Sequence, residues 1–231
     1  MALLMFLFSS QPLQAQRLSG SRVVAKESRD VPYFDAVRVG SAIDLVISQG
    51  EGFHVEVHAD DNVLPYIETR VRDGVLEIGL ARGISLGRYK EMKVYVNAPR
   101  FASLQASGSS DITARGGIRG DALRIRASGS SDVRLSLDVK HLDIECSGSS
   151  DAILSGRAQS INARLSGSSD MKAFNIECDF LEVVLSGSSD MHISVASEVA
   201  GSLRGSSDLR IRGNPNVRVS TSGSSTVRTG R

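Results

Sequence analysis

Ser147-Gly148-Ser149-Ser150-Asp151 recurs, starting at Ser107, Ser128, Ser166 and Ser186, and this repetition decides the fold. Looser copies follow as Arg204-Gly205-Ser206-Ser207-Asp208 and Ser222-Gly223-Ser224-Ser225-Thr226. The glycines Gly108, Gly129, Gly148, Gly167, Gly187, Gly205 and Gly223 recur about every 20 residues, a period that marks stacked repeats. A unit this short cannot bury an apolar face alone, so each copy has to occupy the same place in a coil, with a neighbour above and below.

The segments flanking the motif alternate with period two, as strands with one buried face do. Before the motif the apolar positions are Leu123, Ile125, Ala127; Leu142, Ile144, Cys146; Ile161, Ala163, Leu165; Leu181, Val183, Leu185; and Val217, Val219, Thr221. Behind it come Ile112, Val133, Ala152, Met171, Met191, Leu209 and Val227. Carried through the motif, the alternation turns Ala106, Gly108, Ser110 and Ile112 inward and Ser107, Ser109 and Asp111 outward. Two inward-facing strand segments per coil leave no room for a helix. The expected fold is an all-β, right-handed parallel β-helix or solenoid, with coils about 4.8 Å apart and an N-terminal part that is less regular. In that register Arg124 and Arg126 meet Asp143 and Glu145, and Glu145 meets Arg164, so charges of opposite sign face each other along the axis.

A chain of 231 residues with 41% hydrophobic content can bury a sizeable core, and a net charge of +1 argues against nucleic acid as a partner. Residues 1–15 open with the apolar run Ala2 to Phe8 and read as a signal peptide cleaved after Ala15, truncated at its start because it lacks a basic segment. That run is too short to span a bilayer. An exported product is expected, in the periplasm, on the outer membrane surface or secreted, with no transmembrane span in the mature chain. Cys146 and Cys178 fall in different columns two coils apart, beyond disulfide reach, and read as small buried hydrophobes.

Residues 31–106 form the N-terminal irregular part, and 107–231 the regular repeat. Asp73-Gly74 marks a tight hairpin, Asp60 to Arg70 a short helical excursion, and Val31-Pro32-Tyr33-Phe34 a cap over the first coil. Gly40-Ser41-Ala42-Ile43-Asp44 is a degenerate copy of the motif. Four stretches then appear in order: Phe34 to Ile47, Asp73-Gly74-Val75-Leu76-Glu77-Ile78, Val94-Tyr95-Val96-Asn97-Ala98-Pro99, and Leu104 to Asp111. This order resembles the family of bacterial envelope proteins called putative auto-transporter adhesin, head GIN domain. The resemblance implies a secreted or envelope-anchored β-solenoid and supplies no catalytic residues.

Two constellations have ligand chemistry. The outward column Asp111, Asp132, Asp151, Asp170, Asp190 and Asp208, with Ser109 beside it, is the candidate binding face. Its like charges need relief, which local backbone amides and the neighbouring Arg134, Lys172, His192, Arg210 and Arg228 supply. No cofactor is required; calcium is the alternative relief, because rows of carboxylates suit a hard cation. His54 and His58 flank Glu56 on one strand face, but strand geometry sets them about 13 Å apart, too far to share a metal. No serine stands beside an evident base, and the chain has no Trp and 5% aromatic residues. The expected function is therefore a non-enzymatic, adhesin-like binding or structural module. A surface polysaccharide or a protein is its expected partner, and self-association through the solenoid ends is a further expectation. The alternative is a polysaccharide-acting β-helix enzyme, a lyase or hydrolase.

Overall fold

The structure, a computed structural model, describes residues 16–230, so the expected export segment lies outside the described residues. The N-terminal part holds β1 (Gln16–Leu18), β2 (Val24–Arg29), β3 (Ala36–Val39), β4 (Asp44–Gln49), β5 (His54–Asp60), β6 (Ile67–Arg72), β7 (Val75–Leu80), β8 (Ile84–Leu86), β9 (Met92–Ala98) and β10 (Ser103–Ala106). Long strands follow, each running through most of a coil: β11 (Ile112–Gly129), β12 (Asp132–Gly148), β13 (Asp151–Leu165), β14 (Asp170–Leu185) and β15 (Asp190–Leu203). The last turns are β16 (Asp208–Arg212), β17 (Asn216–Thr221) and β18 (Thr226–Gly230). The result is a parallel β-solenoid of about seven turns, its coils roughly 19 residues apart.

Register follows the repeat. Ala127, Cys146, Leu165, Leu185 and Leu203 pair in one column, and Ile125, Ile144, Ala163 and Val183 in the next. Every member of both columns is buried, with Ile144, Val183 and Leu185 at 0% exposure. Each fully buried aliphatic side chain contributes on the order of 1.5–3 kcal/mol, so these columns carry the stability of the stack.

The turn that joins the two limbs of a coil depends on glycine. Gly129, Gly148, Gly167 and Gly187 all sit at φ +81, in the left-handed region. The next residue's amide bonds to the glycine carbonyl one coil below: Ser149 N to Gly129 O at 2.7 Å, Ser168 N to Gly148 O and Ser188 N to Gly167 O at 2.8 Å. A Cβ on Gly167 would stand 2.5 Å from Gly148 O, closer than any side chain tolerates. The left-handed residue also breaks the strict alternation. Gly108 is exposed, contrary to the inward expectation, while Ser110 is buried as expected.

The degenerate copy occupies the same place one coil earlier. Ser41 and Ala42 adopt φ +65 and +59, and a Cβ on Gly108 would lie 3.7 Å from Ser41 N. Ser41 therefore stands where later coils have glycine. Ile43, fully buried, replaces the inward serine, and its amide donates to Ser110 Oγ at 3.2 Å.

The N-terminal end is closed by antiparallel pairing of β5 with β9, β2 with β5, and β6 with β7. Asp73 and Gly74, at φ +50 and +76, make the expected hairpin turn. The expected helical excursion shrinks to one 3-10 turn, Leu64–Tyr66, because β6 begins at Ile67 and pairs along β7. Of the expected cap, Phe34 is fully buried against Phe53, with ring centroids 5.2 Å apart, whereas Tyr33 is exposed. At the other end Val217, Val219 and Val227 are only partly covered. Thr221, expected inward, is exposed because no later coil packs on it among the described residues.

Gly167→Ala and Gly52→Ala form a matched test of the turn. Both glycines are left-handed, but a Cβ on Gly52 meets nothing within 4 Å. Gly52→Ala is expected to cost about 1–2 kcal/mol in denaturant unfolding, and Gly167→Ala about 1–3 kcal/mol more. Equal losses would contradict the close stacking. Ser41→Gly is expected to raise stability by about 1 kcal/mol in the same assay.

Candidate functional site: the serine–aspartate ridge

Each repeat turn presents two chemically different serines. The second faces the core: Ser131, Ser150, Ser169, Ser189 and Ser207 are fully buried. Their hydroxyls donate across the turn to the carbonyl three residues back, as from Ser150 Oγ to Ser147 O at 2.9 Å and from Ser169 Oγ to Ser166 O at 3.0 Å. The first serine, Ser109 and its equivalents Ser130, Ser149, Ser168, Ser188 and Ser206, is exposed. The outer edge is thus a row of glycine backbone and small hydroxyls, roughly 24 Å long over the five coil steps from Ser109 to Ser206.

The aspartates line the flank of this ridge. Asp132, Asp151, Asp170, Asp190 and Asp208 pair in register, all half-buried. Asp111 precedes them, and its Oδ1 accepts the Asp132 amide at 3.1 Å. Asp151 Oδ1 accepts the Asp170 amide at 3.3 Å, and the Thr226 hydroxyl donates to the Asp208 carboxylate. Arg134 reaches Asp132 at 2.7 Å and Asp111 at 3.7 Å. Carboxylate repulsion is therefore relieved mainly by backbone amides from the coil above. Burial and, next, the Asp151 charge hold the Asp170 carboxyl above its ordinary pKa; the Asp190 amide and Lys172 pull it the other way. Asp44 extends the column by one coil, and burial raises its pKa as well. Among the described residues no group of three His, Cys, Asp or Glu side chains is placed to hold a metal ion.

The limbs on either side carry mixed charge. Arg134, Ile153, Lys172, His192, Arg210 and Arg228 pair in one column. Phe174 stacks on His192 at 5.1 Å and under the Arg212 guanidinium at 4.3 Å; no repeat position marks this cluster, because Phe174 lies where the pairing register shifts. On the opposite limb Arg124 meets Asp143 at 2.9 Å and Arg126 meets Glu145 at 3.1 Å, as expected. Arg164, expected on Glu145, pairs with Asp143 at 3.8 Å instead. Arg126 already holds Glu145, while Asp143 has its other oxygen free.

His54 and His58 do not converge. His58 is buried, bonded to Glu56, tilted against Tyr95 with ring centroids 4.5 Å apart and 3.8 Å from Glu91, and its hydrogen bond draws the Glu56 pKa down. Cys146 and Cys178 are free and buried, their thiols pushed up to about 12 chiefly by burial. His141 Nδ1 lies 2.7 Å from Ser160 Oγ on the next coil, but Asp143, the nearby acid, is occupied by Arg124 and Arg164.

This chain belongs to the family putative auto-transporter adhesin, head GIN domain, whose model matches residues 33–215. Its fold is similar to that of a crystal structure of a putative adhesin from Bacteroides fragilis, with TM-score 0.84 and 21% identity, covering 92% of this chain and 99% of that one. A putative adhesin from Parabacteroides merdae has TM-score 0.77 and 21% identity, over 94% of this chain and 100% of that one. A putative lipid binding protein from Parabacteroides distasonis shares the fold at TM-score 0.77 and 18% identity, over 94% and 100%. No curated protein sequence matches the chain.

Two substitutions separate bracing from surface chemistry. Ser169→Ala, which removes a buried turn bond, is expected to cost about 1 kcal/mol, and exposed Ser168→Ala close to nothing. A folded-state pKa above the unfolded value gives Asp170 a favourable contribution at low pH that is lost as pH rises through the folded pKa. Asp170→Asn should therefore gain stability relative to wild type on going from about pH 3 to about pH 7, staying within about 1 kcal/mol of it at neutrality. A mutant that loses ground over that interval would contradict the burial and repulsion assigned to Asp170.

Proposed function

We propose that the chain is an exported, non-enzymatic, adhesin-like binding module of the bacterial cell envelope. Its ligand-facing surface is the ridge formed by Ser109, Asp111, Asp132, Asp151, Asp170, Asp190 and Asp208 and the exposed serines between them. The observation that carries this reading is the ridge itself: the same hydroxyl and carboxylate recur at every coil on a smooth edge. Such a surface suits an extended partner whose own groups repeat, a surface polysaccharide first and a neighbouring protein second. Family membership supports an envelope setting, and no helix among the described residues is long and apolar enough to cross a membrane. The aspartates serve as acceptors: Asp111 and Asp151 already take a backbone amide on one oxygen, and the remaining oxygens face the partner.

A glycan array probed with the mature protein tests this. Binding to bacterial surface polysaccharides is expected, with loss of at least about tenfold in affinity for Ser149→Arg/Ser168→Arg, which roughens the ridge without touching the core. Retained binding in that variant would remove the ridge from the proposal. Shortened or unsaturated products from any bound glycan would favour the polysaccharide-acting enzyme instead. Millimolar calcium is expected to leave the melting temperature unchanged; a rise that a chelator reverses and Asp151→Asn/Asp170→Asn abolishes would make the aspartate column a cation site.

A further inference from the structure

A second site lies away from the ridge, where the start of the described chain is strapped across the N-terminal end. β1 pairs in parallel with β8, Gly87 N donates to Leu18 O at 2.8 Å, and Gly20 N donates to Arg88 O at 2.7 Å. The buried Asp60 carboxylate locks the strap, accepting the amides of Arg22 at 2.9 Å, Lys90 at 3.1 Å and Glu91 at 3.2 Å. Gly20 is required there, since a Cβ would fall 2.0 Å from Asp60 Oδ2. The strap and the loop after β8 enclose a cleft lined by Arg17, Ser19, Gly20, Arg22, Arg88 and Tyr89.

The charge of this cleft points to an anion. Among the described residues no carboxylate lies within 4.0 Å of Arg17, Arg22 or Arg88; other arginines such as Arg72, Arg82, Arg210 and Arg228 share that state, but this cleft gathers three on one lining. Arg22 also sits at φ +69, a conformation that costs a residue with a Cβ about 1–2 kcal/mol and that glycine would adopt freely. Strain of this kind persists where the surrounding structure holds the backbone in place, as it also does at Ser41, Ala42 and Asp73. Asp60 supplies that hold through the Arg22 amide. Three arginines line the cleft with Ser19 and Tyr89, and the buried Asp60 carboxylate beside Gly20 is taken up by backbone amides.

We propose that this cleft binds a phosphate group. The planar guanidinium fork matches phosphate oxygens in pairs, and a cluster of such forks selects a multiply charged oxyanion over a single carboxylate. The phosphate is carried either by a lipid headgroup or by a soluble phosphate ester, and the test distinguishes the two. The site shares no residue with the ridge, so it stands or falls independently of the polysaccharide reading.

The experiment is titration of the protein with inorganic phosphate and, separately, sedimentation with vesicles of phosphatidylcholine alone or doped with phosphatidic acid. Wild type is expected to bind inorganic phosphate. Binding to doped vesicles that phosphate competes away identifies a lipid headgroup, and binding to phosphate without vesicle association identifies a soluble ester. Arg22→Gly should weaken phosphate binding at least about tenfold while leaving the melting temperature unchanged or raised, because it relieves strain as it removes the charge. Arg17→Ala/Arg88→Ala should weaken binding at least as much without unfolding the solenoid. Absence of phosphate binding by wild type would overturn the proposal. So would undiminished binding in both variants, or an equal loss in Lys172→Ala/Arg210→Ala/Arg228→Ala on the solenoid face.

Discussion

The structure depends on a backbone residue held at positive φ, with the amide after it bonded to the glycine carbonyl of the coil below. That single rung, repeated from Gly108 to Gly223, sets where each coil turns and how far it climbs. From Gly129 onward it admits no Cβ, because the carbonyl beneath is already in contact. It also turns the glycine itself outward, away from the core side that strict alternation would give it. The left-handed residue swings outward while the parity on either side of it is kept, so that Ser150 and Ser169 still enter the core and their hydroxyls close the turn from inside.

Stability and specificity come from different parts of the coil. The aliphatic columns through Ile144 and Leu165 supply burial, yet by themselves they would tolerate a slide along the axis by one coil or a shift in turn position. The glycine rung removes that freedom, since a slip of one residue would drive a serine Cβ into a carbonyl and turn the apolar set outward. The aspartate column would be a liability on a bare strand face. Here Asp111 and Asp151 take the amides of the next coil, Arg134 meets Asp132 and the Thr226 hydroxyl meets Asp208, so much of the row of like charges is tied into its neighbours. At the N-terminal end Asp60 does a related thing once, with three amides around one buried carboxylate.

Most of the solenoid was legible in the sequence because its constraints repeat. Period-two alternation named Ile144, Leu181, Val183 and Leu185 as core, and the columns of Cys146 and Cys178 ruled out a disulfide. What was not legible involves departures from the repeat. Strict parity put Gly108 inside, where one left-handed residue puts it outside. Thr221 followed its column on paper but lacks a covering coil. Arg164 was matched to its register neighbour, whereas the ion pair went to the acid with a free oxygen. The candidate ridge was visible as a column of Asp and Ser, although the buried serine bonds that brace it were not. The arginine cleft had no signature at all, because Arg17, Arg22 and Arg88 come to line one cleft only after β1 is strapped to β8. Repetition encodes the scaffold, and a ligand of the ridge would leave no separate mark on residues the scaffold already requires.

The rung is tested most directly by native-state hydrogen exchange at the amides of Ser149, Ser168 and Ser188. These residues are exposed and sit in turns, where fast exchange is the ordinary outcome. Because each amide bonds to a glycine carbonyl at 2.7–2.8 Å inside the stacked ladder, protection comparable to that of core amides such as Ile144 and Val183 is expected. Protection should fall at Ser224, in the last coil, where packing thins. Exchange of the three central amides at rates typical of unstructured loops would contradict a solenoid held in register by its glycine spine.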